Sequence, residues 1–152
     1  MDFGFGGSLA RQAKKFVDKL ATEKVQVFNE PSFGVGYVGT LHGKRTDANG
    51  YKFLQITLFG TPNIKVVKGC SLTFESSNGT ISCHSDTKGI ESIYSTTLGK
   101  GITSFEIYLD ESLYQSLKSP ITGVDITFPR KWFGKDAFTF TIDPSIFLKL
   151  LK

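Results

Sequence analysis

Between Val25 and Ile142, apolar residues recur at every second position in one stretch after another, and this two-residue period most constrains the fold. Successive side chains on a strand point to opposite faces. Leu54, Ile56 and Leu58 therefore share one face, as do Phe105, Ile107 and Leu109, then Val124, Ile126 and Phe128, then Phe138, Phe140 and Ile142. Strands with one dry and one wet face must bury the dry one against a second layer or a curled partner. The expected class is mainly β: a single antiparallel β-sandwich, or a partly open barrel, with an α-helix at each terminus and one short helix between strands.

Met1–Gly7 reads as a flexible arm, because Gly4, Gly6 and Gly7 surround Phe3 and Phe5 with no local core to hold them. The two rings are candidates for insertion into a neighbouring subunit. Residues 8–152 read as one domain. Ser8 can cap a helix to about Glu23, with Leu9, Ala13, Phe16, Val17 and Leu20 on one side and Arg11, Lys14, Lys15 and Asp18 on the other. The apolar stripe is narrow and Asp18 and Glu23 dilute the basic face, so a helix packed on the β-domain is expected in place of a membrane anchor.

A short strand at Val25 and Val27 precedes one running from Phe33 to about Leu41, where Gly34 and Gly36 suggest a bulge, or close approach by another backbone. His42–Gly50 reads as a polar loop ending in an Asn-Gly turn. Leu54–Leu58 should be a central strand, since Phe53 and Phe59 make its second face apolar too. Leu72 and Phe74 should pair with Ile81 and Cys83 across an Asn78-Gly79 turn. Ile64–Val67 and Ile90–Thr97 are weaker strand candidates. Asp110 caps a short helix through Lys118, which Ser119-Pro120 stops. Asp143-Pro144 opens a last helix with Ile146, Phe147, Leu150 and Leu151 as its apolar residues.

The order of elements from Gly69 to Leu151 carries a resemblance. A Gly-led strand (Gly69, Cys70, Ser71, Leu72, Thr73, Phe74), a turn and a strand are followed by the acidic-capped helix at Asp110–Leu117. Then come Ser119-Pro120-Ile121 with Val124 and Ile126, the Phe138, Phe140, Ile142 strand and a Leu-rich terminal helix. This half of the chain resembles small, mostly uncharacterised β-sandwich proteins of Bacteroidetes-type bacteria and their phages. The resemblance implies a β-sandwich and no catalytic residues. Many such proteins are exported, whereas no basic region leading into an apolar one is visible at Met1–Gly7. The expected location is therefore cytoplasmic or within a virion.

Composition narrows the chemistry. The chain has 152 residues, enough for one real core. Its formal net charge is only +4, and a dedicated nucleic-acid binder concentrates far more Arg and Lys. No apolar run approaches the roughly 20 residues of a membrane-spanning helix. Cys70 and Cys83 are the only cysteines. With Asn78-Gly79 as the turn, Phe74 faces Cys83, and Cys70 lies four residues away, about 13 Å at strand rise. A disulfide needs Cα atoms within about 7 Å, so two reduced, buried thiols are expected.

Cys83 and His84 point to opposite strand faces and cannot share an ion with Asp86 and His42, and no Cys-x-x-Cys or His-x-x-x-His spacing occurs. No metal or cofactor is expected. There is no Gly-x-Ser-x-Gly elbow. Asp110 and Glu111 are adjacent at a helix start, where capping explains them without catalysis. Gly4-Phe5-Gly6-Gly7 lacks the preceding strand and closing Lys of a phosphate loop. Asn78-Gly79-Thr80 matches a glycosylation sequon, but reads more simply as the hairpin turn.

The loop Pro129–Lys135 remains. It joins two strong strands and holds the only Trp. Arg130, Lys131, Trp132 and Phe133 combine residue types enriched in binding hot spots. The expected function is a non-catalytic structural or adaptor subunit of a larger assembly, a phage virion component among the options, with protein partners in a homo- or hetero-oligomer. The alternative is a glycan- or nucleic-acid-binding module using the same loop, since basic residues interleaved with rings suit stacked bases. An enzyme built around His42 or His84 ranks third.

Overall fold

Eleven strands and two helices make up the described part of a computed structural model, residues 32–152. The expected arm with Phe3 and Phe5, the helix from Ser8 to Glu23 and the strand at Val25 and Val27 lie outside the described residues. In chain order the elements are β1 (Gly34–Gly36), β2 (Gly39–Ala48), β3 (Tyr51–Gly60), β4 (Lys65–Val66), β5 (Ser71–Ser76) and β6 (Gly79–His84). Then follow β7 (Ile90–Glu91), β8 (Ile93–Ser95), β9 (Lys100–Tyr108), α1 (Glu111–Leu117), β10 (Ile121–Pro129), β11 (Lys135–Ile142) and α2 (Pro144–Leu151).

The fold is mainly β, but its strands do not divide into two packed sheets. Nine of them form one antiparallel sheet in the order β6-β5-β10-β11-β1-β2-β3-β9-β8, strongly curled into a half-barrel, and β4 and β7 form a separate pair. Of the two expected forms, the curl corresponds to the partly open barrel and not to the sandwich. Its extent is visible in the rings: Phe105 of β9 and Phe128 of β10 meet edge to face with centroids 6.1 Å apart, although four strands stand between theirs in the sheet. The alternating residues named above line the inside of the curl. Leu54, Ile56, Leu58, Leu72, Phe74, Phe105, Ile107, Val124, Ile126, Phe128 and Phe140 are all buried there. Each such side chain contributes about 1.5–3 kcal/mol by leaving water.

The two halves of the curl are also joined by hydrogen bonds. β8 pairs with β9 only at Lys100–Ile102, so the edge of β9 beyond it would stand open. The segment after β6 fills that edge. The Asp86 amide donates to the Glu106 carbonyl at 2.8 Å, the Glu106 amide donates to Thr87 Oγ1 at 2.9 Å, and the Tyr108 amide donates to Asp86 Oδ2. An open strand edge is a template for unwanted pairing, and here one backbone amide and two side chains cover it.

β2 departs from the expected polar loop at His42–Gly50. It pairs with β3 along its full length, from Gly39 opposite Gly60 to Ala48 opposite Tyr51. Its inward positions after Leu41 are Gly43, Arg45 and Asp47, which carry no apolar signal. Tertiary contacts explain the first two, while Asp47 is exposed and pairs with Arg45 two residues away. A Cβ on Gly43 would lie 2.8 Å from Leu150 Cδ1 and 3.2 Å from Phe33, so α2 and Phe33 already occupy that space. Arg45 reaches the carbonyls of Leu151 and Lys152, both at 3.0 Å, capping the end of α2 while its other nitrogens face Asp47. The turn itself is Asn49-Gly50, at φ 53° and 84°, the twist that a two-residue hairpin requires. Of the two glycines in β1, Gly36 shows close backbone approach, a Cβ there lying 2.5 Å from the Thr139 carbonyl, whereas a Cβ on Gly34 would first meet the Leu41 side chain at 3.2 Å.

Both helix starts follow the sequence. Asp110 accepts from the Leu113 amide at 2.7 Å, and Asp143 accepts from Ser145 and Ile146 at 3.0 and 3.2 Å, with Pro144 in the first turn. α2 lays Phe147 against Phe33 and Phe74, with centroids 5.4 and 5.7 Å away. The segment Ile90–Thr97 splits between β7 and β8, which belong to different sheets.

The β5–β6 hairpin turns one residue earlier than expected. Ser76 pairs with Gly79, so Ser77 and Asn78 make the turn and Gly79, at φ 118°, follows it. The Ser76 hydroxyl donates to the Gly79 carbonyl at 3.0 Å and accepts from the Asn78 amide at 3.2 Å, which favours this register. Phe74 consequently faces Ile81, and Cys83 faces Leu72. Cys70 then lies two residues from Cys83's partner, not four. Both thiols are free; Cys70 is buried and Cys83 is only half-buried. Desolvation raises the Cys70 thiol to about 11 and the Cys83 thiol to about 12, so both stay protonated at neutral pH.

Candidate functional site

The Pro129–Lys135 segment is the apex of the β10–β11 hairpin. Pro129 and Lys135 form its last strand pair, leaving Arg130–Gly134 beyond the final row of the sheet. The stalk below is anchored in the core, because Phe128 is fully buried against Phe105 and packs on Phe138 at 6.1 Å. Two locks hold the apex in one shape. The Arg130 amide donates to the Gly134 carbonyl at 3.0 Å, with Gly134 at φ 72°. The Arg130 side chain donates to Asp136 Oδ1 from Nε at 3.2 Å and from Nη2 at 2.6 Å. That hydrogen bond, and secondarily the carboxylate's charge, raises the Arg130 guanidinium above its ordinary value.

Trp132 and Phe133 gain no cover from this arrangement. They are 80% and 87% exposed, and neither folds back over the end of the sheet. The Lys131 ammonium stands 5.3 Å from the Trp132 ring centroid, within cation–π range. The structure thus brings Arg130, Lys131, Trp132 and Phe133 together on one protrusion. Phe3 and Phe5 fall outside the described residues. Large exposed apolar side chains set side by side mark contact surfaces more often than isolated ones do. A pair of rings on a rigid stalk can enter a partner's pocket with little ordering cost, since the hairpin is already fixed.

The histidines stand elsewhere. His42 is buried, with Nε2 2.9 Å from Thr40 Oγ1. His84 Nδ1 lies 3.1 Å from Ser71 Oγ on the exposed face of β5 and β6. Thr40–His42 and Ser71–His84 both place a hydroxyl on an imidazole as a nucleophile and base would be, and among the described residues no carboxylate lies within 4.0 Å of His84 to orient its ring. Among the described residues no three His, Cys, Asp or Glu side chains converge as a ligand set, and no helix there is long and apolar enough to cross a membrane.

One constellation escaped the sequence reading. Arg45 of β2, Lys52 of β3 and Lys118 after α1 gather on the ring of Tyr114, at 5.9, 4.4 and 4.4 Å from its centroid. Their separation along the chain hides the grouping, and no local motif marks it. No family model, curated protein or solved structure matches the chain.

Proposed function

We propose that this protein is a non-catalytic binding subunit of a larger assembly, and that it engages a protein partner through the Trp132–Phe133 apex. One observation carries the reading: two adjacent large rings stand in solvent on a hairpin whose base is locked by the Arg130–Asp136 pair. Water contact at both rings is costly, and burial in a partner would recover that cost. Trp and Arg are the residue types that dominate interface energetics. Phe3 and Phe5 supply a second contact in this reading. The resemblance of Gly69–Leu151 to bacterial and phage β-sandwich proteins directs the search for partners to assemblies such as a virion.

The test uses the single Trp as its own reporter. The protein is co-expressed with the products of neighbouring genes, and complex formation is followed by sedimentation and by Trp emission. A complex should form, its emission should shift to the blue, and Trp132→Ala should weaken association about 30-fold or more, equivalent to about 2 kcal/mol. Single-stranded oligonucleotides, glycans and anionic vesicles serve as competing ligands. A blue shift with one of these, absent with every protein tested, would overturn the reading.

A further inference from the structure

The Tyr114 constellation lies apart from the hairpin apex and has unused charge. Tyr114 is only 9% exposed, and its hydroxyl donates to the Leu151 carbonyl at 3.0 Å, so the ring is fixed between α1 and the end of α2. Arg45 is already engaged, by the carbonyls of Leu151 and Lys152 and by Asp47. Lys52 and Lys118 are not. Each holds its ammonium 4.4 Å from the same ring centroid, and among the described residues neither has a carboxylate within 4.0 Å. The two charges are therefore no farther apart than twice that distance. This is about one Debye length at physiological salt, so their repulsion is only partly screened. A carboxylate placed on either ammonium would offset its charge.

Lys118 also borders a second feature. A cleft of about 140 Å³ opens between the end of α1 and the start of α2, lined mostly by apolar residues, Leu117, Phe147 and Leu148 among them, with Ser119 and Ser145 beside Lys118. Leu148 is 37% exposed on its rim. The cleft is too small for a drug-sized ligand, which fills about 300 Å³ or more, but it has room for one aliphatic side chain. The larger part of its lining is apolar, which suits an aliphatic side chain better than a phosphate. The free cations are lysines, which act as point charges, while the one guanidinium fork that would suit a phosphate is occupied.

We propose that Lys52 and Lys118 over Tyr114, with the adjoining Leu117–Leu148 cleft, form a docking site for an acidic segment of a protein partner that carries one apolar anchor. The anchor enters the cleft, and the carboxylates sit on the two ammonium groups. Lys118 belongs to both halves, so one short peptide can reach both. This second surface lets the protein hold a partner's tail independently of the Trp132 apex.

The experiment titrates the full chain with fluorescent synthetic peptides that carry a leucine and a pair of glutamates at varied spacings, read by polarisation and by amide chemical shifts. At least one spacing should bind saturably, shift the Leu148 and Lys118 amides, and weaken as salt rises. Replacing its glutamates with glutamine, or its leucine with serine, should cost about tenfold each, or about 1.4 kcal/mol. The Lys52→Gln, Lys118→Gln double variant should lose at least as much while its amide spectrum away from Tyr114 stays that of the folded protein, whereas Trp132→Ala should bind normally. The proposal is overturned if no peptide binds saturably, if binding ignores the lysine substitutions, or if an oligonucleotide or a phosphatidylserine vesicle binds through these lysines more tightly than any peptide.

Discussion

The β2–β3 and β10–β11 hairpins are built alike and finish differently. Both are long antiparallel ladders with inward apolar residues at the centre of the sheet. The first closes in two residues, Asn49-Gly50, and Ala48 pairs with Tyr51 directly at the turn. The second runs five residues past its last pair and places its largest side chains there. A tight turn minimises exposed backbone and loop entropy. The longer apex does neither, yet it is braced by a charged side-chain hydrogen bond. Bracing a loop that contributes nothing to the core makes physical sense when the loop is a contact surface.

The sharpest way to break this contrast is to cut within one hairpin, above and below its last pair. Phe128→Ala, two residues before Arg130, removes a fully buried ring and should cost about 3–5 kcal/mol in denaturant unfolding. Trp132→Ala should cost under about 1 kcal/mol in the same assay, as at other surface sites. Equal losses at the two positions would mean that the apex supports the fold, and the contact reading would fall. In the tight hairpin, Asn49→Val forces a β-branched residue to φ 53° and should cost about 1–2 kcal/mol, with partner binding unaltered.

The third hairpin, β5–β6, gives the smallest effect at neutral pH. Burial raises Cys70 and Cys83 from an ordinary 9.0 to about 11 and about 12. The folded state thus holds protons that the unfolded state releases first. That stabilisation is complete below pH 9 and is lost as pH rises toward 11–12. Urea midpoints should therefore fall over that window, and a Cys70→Ala, Cys83→Ala variant should lose that part of the fall. At neutral pH the native thiols should react with iodoacetamide far more slowly than a model thiol. Rapid alkylation of either would show that the β5–β6 edge opens more readily than the β2–β3 hairpin.

Some of this architecture was legible one residue at a time. Asp110 and Asp143 announce helix starts because a cap depends on the next three residues alone. The alternations at Leu54–Leu58, Phe105–Leu109 and Val124–Phe128 identify the buried face because strand geometry is local. β2 was not legible. Its inward Gly43 makes room for Leu150, and its inward Arg45 serves carbonyls more than a hundred positions away. A residue chosen for a distant partner leaves no period in its own segment. The hairpin register failed for a related reason: Ser76 uses its side chain to set a turn that the Asn-Gly pair alone would place one residue later.

The candidate sites divide the same way. The apex could be picked out because Arg130, Lys131, Trp132 and Phe133 are consecutive, although only the structure turned their rings to solvent. The cation cluster could not, since Arg45, Lys52, Tyr114 and Lys118 meet only after β2, β3 and α1 have packed. The sequence alone determined that the chain is mainly β, which faces are buried and where two helices begin, because those features depend on neighbours within a few residues. The tertiary structure alone decided between sandwich and open barrel, curling nine strands into one sheet, and placed Asp86 and Thr87 on the free edge of β9. Alternation states which side of a strand is dry, but strand order and curvature follow from which distant residues fill the same interior.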